Sequence, residues 1–254
     1  MRPELSRGEA ARASTVDTRR RVTLPTPLAD AAGITGGPVV VVRGDRPGEL
    51  VLATPAAALE RLRANLAAAL ATHSTYPSLT AALHRQPAGR PPAPTPVDLP
   101  PQLPDEGPLV CDTAPLLALL DGDPAAEALV ALLPRVIITD AVAEELLETM
   151  IAAGLPIEGV EQPCSYAGVC DVLAALGVRS PRLESGGWAP LRIIGFALTR
   201  AGVTAAGERS TLALARHLGA TALIGRPAGD LPPDAAVHAV DARDLALADT
   251  PAQA

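Results

Sequence analysis

The stretch Leu109-Val-Cys-Asp-Thr-Ala-Pro-Leu-Leu-Ala-Leu-Leu120 decides how this chain is read. A short apolar run, Leu109 to Cys111, stops at Asp112, and Thr113 opens a helix through Leu120. Asp112 is therefore expected at the carboxyl end of a strand, immediately before a helix. In open α/β sheets that edge is where ligand sites form. The alternation continues downstream. Helix 125–133, strand 135–138 and helix 140–151 come first, then helices 169–176, 191–200 and 207–218, then strands 221–224 and 237–240. Strands alternating with helices predict an α/β fold, a parallel sheet covered by helices on both faces.

Helical geometry separates the acids of Thr139-Asp-Ala-Val-Ala-Glu-Glu-Leu-Leu-Glu148. Val142, Glu145, Leu146, Thr149 and Met150 fall on one stripe, so Glu145 shares the apolar face. Glu144 and Glu148 lie four residues apart on the polar face, an ordinary solvated arrangement. An acid on an apolar stripe is costly unless it is paired or bound to a metal, so Glu145 calls for an explanation. Glu208 opens the helix that follows Gly207. By itself it reads as a first-turn acid favoured by the helix dipole.

Upstream, Gln86 to Pro108 is dense in proline and lacks any helical or strand period. Such composition gives an extended polyproline spacer, and so long a loop inside one domain is uncommon. Two modules are expected, and the charge divides with them. Residues 1–90 carry 12 Arg against 7 acids, a balance of +5, whereas residues 108–254 carry 9 Arg against 18 acids, a balance of −9. With Asp98, Asp105 and Glu106 between them, the two make up the overall charge of −7, and such asymmetry suggests different partners.

The first module reads as strand-rich. Arg21–Leu24 is a strand stopped by Pro25 and Pro27. Leu28–Gly33 is a helical turn or two, Pro38–Val42 a second strand, 45–48 a turn, and Glu49–Ala53 a third strand. One copy cannot bury both faces of so small a sheet, so dimerisation is expected. Residues 55–70 follow with Leu59, Leu62, Leu66 and Leu70 on one helical stripe, and 79–84 adds a further turn. That helix either lies across the second module or packs on its own.

Composition excludes several classes. All 21 basic residues are Arg, which removes Schiff-base chemistry and lysine-dependent phosphate loops. Aromatics are 2%, which disfavours stacking platforms for single-stranded nucleic acid. No apolar run reaches the roughly 18–20 residues of a membrane span, and 1–21 has no apolar core of a secretory signal. The cysteines, Cys111, Cys164 and Cys170, are odd in number, contain no CxxC pair and fit no zinc spacing, so free thiols in a cytoplasmic protein with no membrane partner are expected.

Two resemblances sharpen these expectations. Thr15-Val-Asp-Thr-Arg-Arg-Arg-Val-Thr-Leu-Pro25, then Leu28–Ile34, the valine strand and the 49–54 strand resemble the AbrB/MazE-type swapped-hairpin domain. Its signature, V-D-x-x-G-R-[VI]-x-[IL]-P, is followed except at Arg20, where the family usually has Gly. The resemblance implies an interlaced dimer that binds DNA, with Arg19, Arg20, Arg21, Arg43 and Arg46 in the DNA-facing region. Clustered guanidinium groups suit phosphates and guanine edges; the plainer reading of three consecutive arginines is a solvated edge.

Val110–Leu120, Ile137–Leu146 and Ala206–Ala215 with the following Leu-Gly-Ala220 resemble the ordered motifs of PIN domains, ribonuclease toxins that partner such antitoxins. The resemblance implies Asp112, Glu145 and Glu208 as ligands of Mg²⁺ or Mn²⁺, with Thr113 beside the first acid. It departs at Leu223-Ile-Gly-Arg226, where the family usually carries a fourth acid; Asp230 is a weak substitute. The implied organisation is 1–14 as a disordered N-terminus, 15–56 as the AbrB-like DNA-binding and dimerisation domain and 57–85 as a helical segment. Residues 86–108 then form the linker, 109–245 the PIN-like nuclease and 246–254 a tail. Two readings stay open at this point. One is a metal-dependent endoribonuclease acting on RNA, fused to a DNA-binding domain, as a homodimer or higher homo-oligomer. The other is a catalytically degenerate PIN-like protein acting as a DNA-binding transcriptional regulator.

Overall fold

The computed structural model describes residues 24, 26–34, 39–43, 50–85, 107–157, 165–180, 188–226, 228–232, 237–242 and 245. Several expectations lie outside these residues: the N-terminus 1–14, the strand 21–24 apart from Leu24, the turn 45–48, the spacer 86–106, Cys164 and the tail 246–254.

The centre of the molecule is a four-stranded parallel sheet. Its strands are β3 (Leu109–Cys111), β4 (Val136–Ile137), β5 (Thr221–Ile224) and β6 (Ala239–Asp241), in the order β4-β3-β5-β6. An antiparallel hairpin, β1 (Val40–Arg43) and β2 (Leu50–Ala53), precedes it in the chain. The register sets Leu109 beside both Val136 and Thr221, Cys111 beside Leu223, and Ile224 beside Asp241. Strand periodicity sends alternate residues to opposite faces. Leu109, Cys111, Leu223 and Val240 enter one core, whereas Val110, Ala222 and Ile224 enter the other. Both faces are thus covered, which is why these strands read as nearly continuous apolar runs rather than alternating ones.

The helices are α1 (Thr26–Ala31), α2 (Pro55–His73), α3 (Leu79–His84), α4 (Thr113–Asp121), α5 (Leu129–Leu132), α6 (Asp140–Ala152), α7 (Tyr166–Ala175), α8 (Trp188–Arg200) and α9 (Ala206–Leu218). Helices α8 and α9 cover the Val110 face, while α2, α4, α6 and α7 contribute to the core on the other. The sequence placed most of these within a few residues. The exception is 125–133, where a 3-10 turn (Pro124–Ala126) and the single-turn α5 replace one helix.

Helix α2 belongs to this α/β core. Thr54 caps it, its hydroxyl accepting from the Ala57 amide at 3.3 Å, and Pro55 occupies the first turn, where a missing N–H costs nothing. Its Leu59, Leu62, Leu66 and Leu70 are buried in one cluster with Leu116, Leu117 and Leu120 of α4. Each buried leucine contributes about 1.5–3 kcal/mol relative to exposure. Polar contacts fix the placement. Arg63 Nε donates to the Leu119 carbonyl at 2.8 Å, and its Nη2 pairs with Glu127 at 2.9 Å. The Asp121 carboxylate receives the Leu79 amide at 2.9 Å, the Thr80 amide at 2.8 Å and the Thr80 hydroxyl at 2.6 Å. It thereby satisfies donors that the start of α3 would leave open. Of the two placements open for the leucine stripe, the molecule takes the one across the second module.

The hairpin touches this body on one face only. Val40 is 2% exposed and joins the core, whereas Val41, Leu50 and Leu52 are 53%, 68% and 37% exposed.

Candidate active site at the carboxyl edge of the sheet

Three elements meet where β3 ends. Asp112 follows the strand directly, its amide donating to the Leu223 carbonyl of β5 at 2.9 Å, so the backbone leaves the sheet in register. The residue is 5% exposed and its Oδ1 is buried. Thr113 begins α4 and is 1% exposed. Its Oγ1 donates to Oε2 of Glu145 at 2.6 Å. Glu145 projects from α6 on the stripe predicted for it, with Val142, Leu146, Thr149 and Met150 fully buried and Glu144 and Glu148 exposed. The Thr113 hydroxyl is the partner that makes an acid tolerable there.

The third element is the first turn of α9, and it comes close enough to forbid a side chain. A Cβ at Gly207 would collide with Oε2 of Glu145, 3.1 Å from Thr113 Oγ1 and 3.2 Å from Asp112 Oδ1. Three oxygens, two of them from carboxylates, therefore converge on one cradle. Ser210 steadies this turn: its Oγ donates to the Gly207 carbonyl at 2.8 Å and lies 2.6 Å from Thr139 Oγ1. Thr139 in turn caps α6 through the Val142 amide at 3.2 Å. The helices carrying Glu145 and Gly207 are thus locked together at their starts.

Glu208 is buried beside the cradle and engaged elsewhere. Its Oε1 receives Nε of Arg226 at 2.5 Å. Arg226 reaches it because Gly225 lets the chain leaving β5 cross the first turn of α4; a Cβ there would lie 2.5 Å from that of Ala114. Arg226 Nη1 also donates to the Asp230 carbonyl at 3.4 Å, while the Asp230 residue itself is exposed.

Of the residues singled out from the sequence, Asp112, Thr113 and Glu145 come together, and Glu208 adjoins them bound to Arg226. Arg19, Arg20, Arg21 and Arg46 lie outside the described residues, and Arg43 is placed only by its backbone, at the end of β1. Two residues escaped the sequence reading. Gly207 shows its role only once α9 meets α6. Asp241, 3% exposed, ends β6 beside Ile224 on the same sheet edge as Asp112. A strand ending in an acid, as in Leu109–Asp112, was the available signal, but the strand was expected to stop at 240.

Burial keeps the two described thiols in their protonated form. Burial, with Asp112 adjacent, pushes the Cys111 thiol well above its ordinary range. Cys170 is also free, and burial raises it as well.

Among the described residues no group of three or more His, Cys, Asp or Glu side chains is placed to hold a metal ion. Two carboxylates with an adjacent hydroxyl still satisfy Mg²⁺, which takes one or two protein carboxylates and keeps several waters. Asp112 and Glu145 fit that requirement. Glu208 fits only if Arg226 releases it. Among the described residues no helix is long and apolar enough to cross a membrane. Comparison with known protein families, with curated proteins and with solved structures gave no match.

Proposed function

We propose that the chain is a PIN-like, metal-dependent endoribonuclease joined to an AbrB-like DNA-binding domain. The observation that carries the reading is the convergence of Asp112, Thr113 and Glu145 on the Gly207 cradle, at the carboxyl edge of a parallel sheet. Asp112 and Glu145 would hold Mg²⁺ or Mn²⁺. An ion bound there supplies Lewis-acid activation of water and neutralises charge developing on a phosphodiester. The protein's share is positional. The Thr113 hydroxyl holds Oε2 of Glu145, the Thr139–Ser210 contact holds α6 against α9, and Gly207 keeps the space between them open. A bound cation would also offset part of the repulsion between these acids and the phosphates of RNA.

The exposed face of the hairpin, Val41, Leu50 and Leu52, supports the expected pairing of two chains through this part of the molecule. RNA cleavage with Mg²⁺ or Mn²⁺ tests the enzymatic half; activity unchanged in Asp112→Ala would sink the site assignment. Gel-shift titration of duplex DNA tests the regulatory half.

A second reading has one observation in its favour. Arg226 stands where the resembling family carries an acid, and it occupies the Glu208 carboxylate. A domain that has lost catalysis and serves a DNA-binding regulator would keep that arrangement. Calorimetric titration separates the two readings, since absence of Mg²⁺ and Mn²⁺ binding favours the second.

A further inference from the structure

Beside the carboxylate cluster lies a cavity of about 510 Å³ between α8, α9 and the start of α6. Its walls are mostly apolar, including Leu191, Ala213 and Leu214, and among the described residues the aromatic that lines it is Phe196, the one phenylalanine of the chain. Phe196 is 70% exposed, an unusual position for a large apolar ring unless something covers it. Arg192 and Arg209 also line the space, and Arg200 is exposed on α8. On a helix, residues four apart are neighbours, so Arg192, Phe196 and Arg200 form one ridge of guanidinium, ring and guanidinium. Among the described residues the acid lining the cavity is Asp140, which accepts from the Ser180 hydroxyl at 3.4 Å.

The cavity and the carboxylates share structural members. Thr139 and Ser210 line it, and Ser210 holds the carbonyl of Gly207, whose other side is the cradle of Asp112, Thr113 and Glu145. A ligand filling the cavity therefore lies one helical turn of α9 from the acids. The walls suit a flat apolar ring, and the cationic ridge suits an anionic backbone. Unpaired nucleobases attached to phosphates have this combination, whereas a duplex keeps its bases stacked inside.

We propose that this cavity seats an unpaired nucleobase of the polynucleotide substrate, stacked against Phe196, with Arg192 and Arg200 contacting the flanking phosphates. The inference rests on reading the neighbouring site as a ribonuclease. The low aromatic content rules out a platform for many bases; one ring is enough for one base.

The test uses the full chain and fluorescence anisotropy of a labelled single-stranded oligoribonucleotide, without divalent ion so that nothing is cleaved. Phe196→Ala is expected to weaken binding about fivefold or more, the effect of removing one base–aromatic stack. Arg192→Gln and Arg200→Gln should lower both affinity and its salt dependence. A duplex of the same sequence should bind more weakly and be insensitive to Phe196→Ala. Wild-type affinity in Phe196→Ala, with an unchanged melting temperature, overturns the proposal. So does a shift of oligomeric state by light scattering in that variant with RNA affinity unchanged, which would assign the patch to contact between copies. Asp112→Asn separates the two ideas. Cleavage that depends on Asp112 with RNA binding indifferent to Phe196 sinks the pocket alone, and Phe196-sensitive binding without cleavage sinks the nuclease alone.

Discussion

Arg226 donates its Nε to Oε1 of Glu208 at 2.5 Å, binding the second residue after β5 to the first turn of α9. A buried carboxylate is costly without such a partner, and here the partner is a cation fixed in the protein. This pair decides how many acids the neighbouring cradle can offer to an ion.

Replacing Arg226 by Met should therefore do two opposite things. Without metal, urea unfolding is expected to show a loss of about 1–3 kcal/mol, because a charge-assisted hydrogen bond is removed and its acceptor stays buried. With Mn²⁺, calorimetry is expected to show tighter binding than in the parent, because Glu208 becomes available. A variant that loses stability yet binds Mn²⁺ no better would mean Glu208 does not face the ion.

Two helical glycines offer an internal comparison. At Gly195 of α8 an added Cβ meets nothing within 4 Å, so Gly195→Ala should gain about 0.5–1 kcal/mol from helix propensity. Gly207→Ala gains the same intrinsic term and then loses it, since the methyl enters the space held by Glu145 Oε2. The expected result is a lower melting temperature for Gly207→Ala and a higher one for Gly195→Ala. Equal stabilisation of both would show that the cradle relaxes freely.

The Asp121 carboxylate is the polar anchor of α3, accepting three hydrogen bonds. Asp121→Ala should cost about 2 kcal/mol or more, given the strength of bonds to charged acceptors. Leu66→Ala, 1% exposed, should cost roughly 2–5 kcal/mol. Both are read by urea unfolding as a single transition. A separate early transition for α2 and α3 would show that these helices fold independently of the sheet.

Alkaline pH should loosen the fold in a defined window. Burial raises the thiols of Cys111 and Cys170 from 9.0, and burial, helped by the Cys170 thiol, pushes the Tyr166 phenol from 10.0 up to about 12. A raised value means that the folded state holds the proton more firmly than the unfolded chain. Their contribution is thus complete below about pH 9 and declines as pH rises toward 12. Urea midpoints measured from pH 8 to 11 should fall, and Tyr166→Phe should flatten the upper part of that fall. The same variant loses the bond from its hydroxyl to the Ala143 carbonyl at 3.1 Å, lowering stability at every pH.

Much of this was written in local pattern. Asp112 at a strand end, Glu145 on an apolar stripe and the leucines of α2 each follow from spacing, because burial and periodicity act over a few residues. The parallel sheet followed from alternation alone. What spacing cannot encode is which distant groups meet. The stripe of α2 was equally suited to two surfaces, and packing against α4 decided between them. Gly207 looked like a helix-start glycine until α6 came beside it, and Glu208 looked like a first-turn acid until Gly225 let Arg226 reach it. The sequence by itself determined most of the elements and singled out three carboxylates, Asp112, Glu145 and Glu208. Only the tertiary structure decided that Asp112, Thr113 and Glu145 share one cradle while Glu208 is held by a cation. Convergence is a property of helices crossing at one sheet edge, set by core packing between residues up to about a hundred positions apart, as Thr211 and Cys111 are.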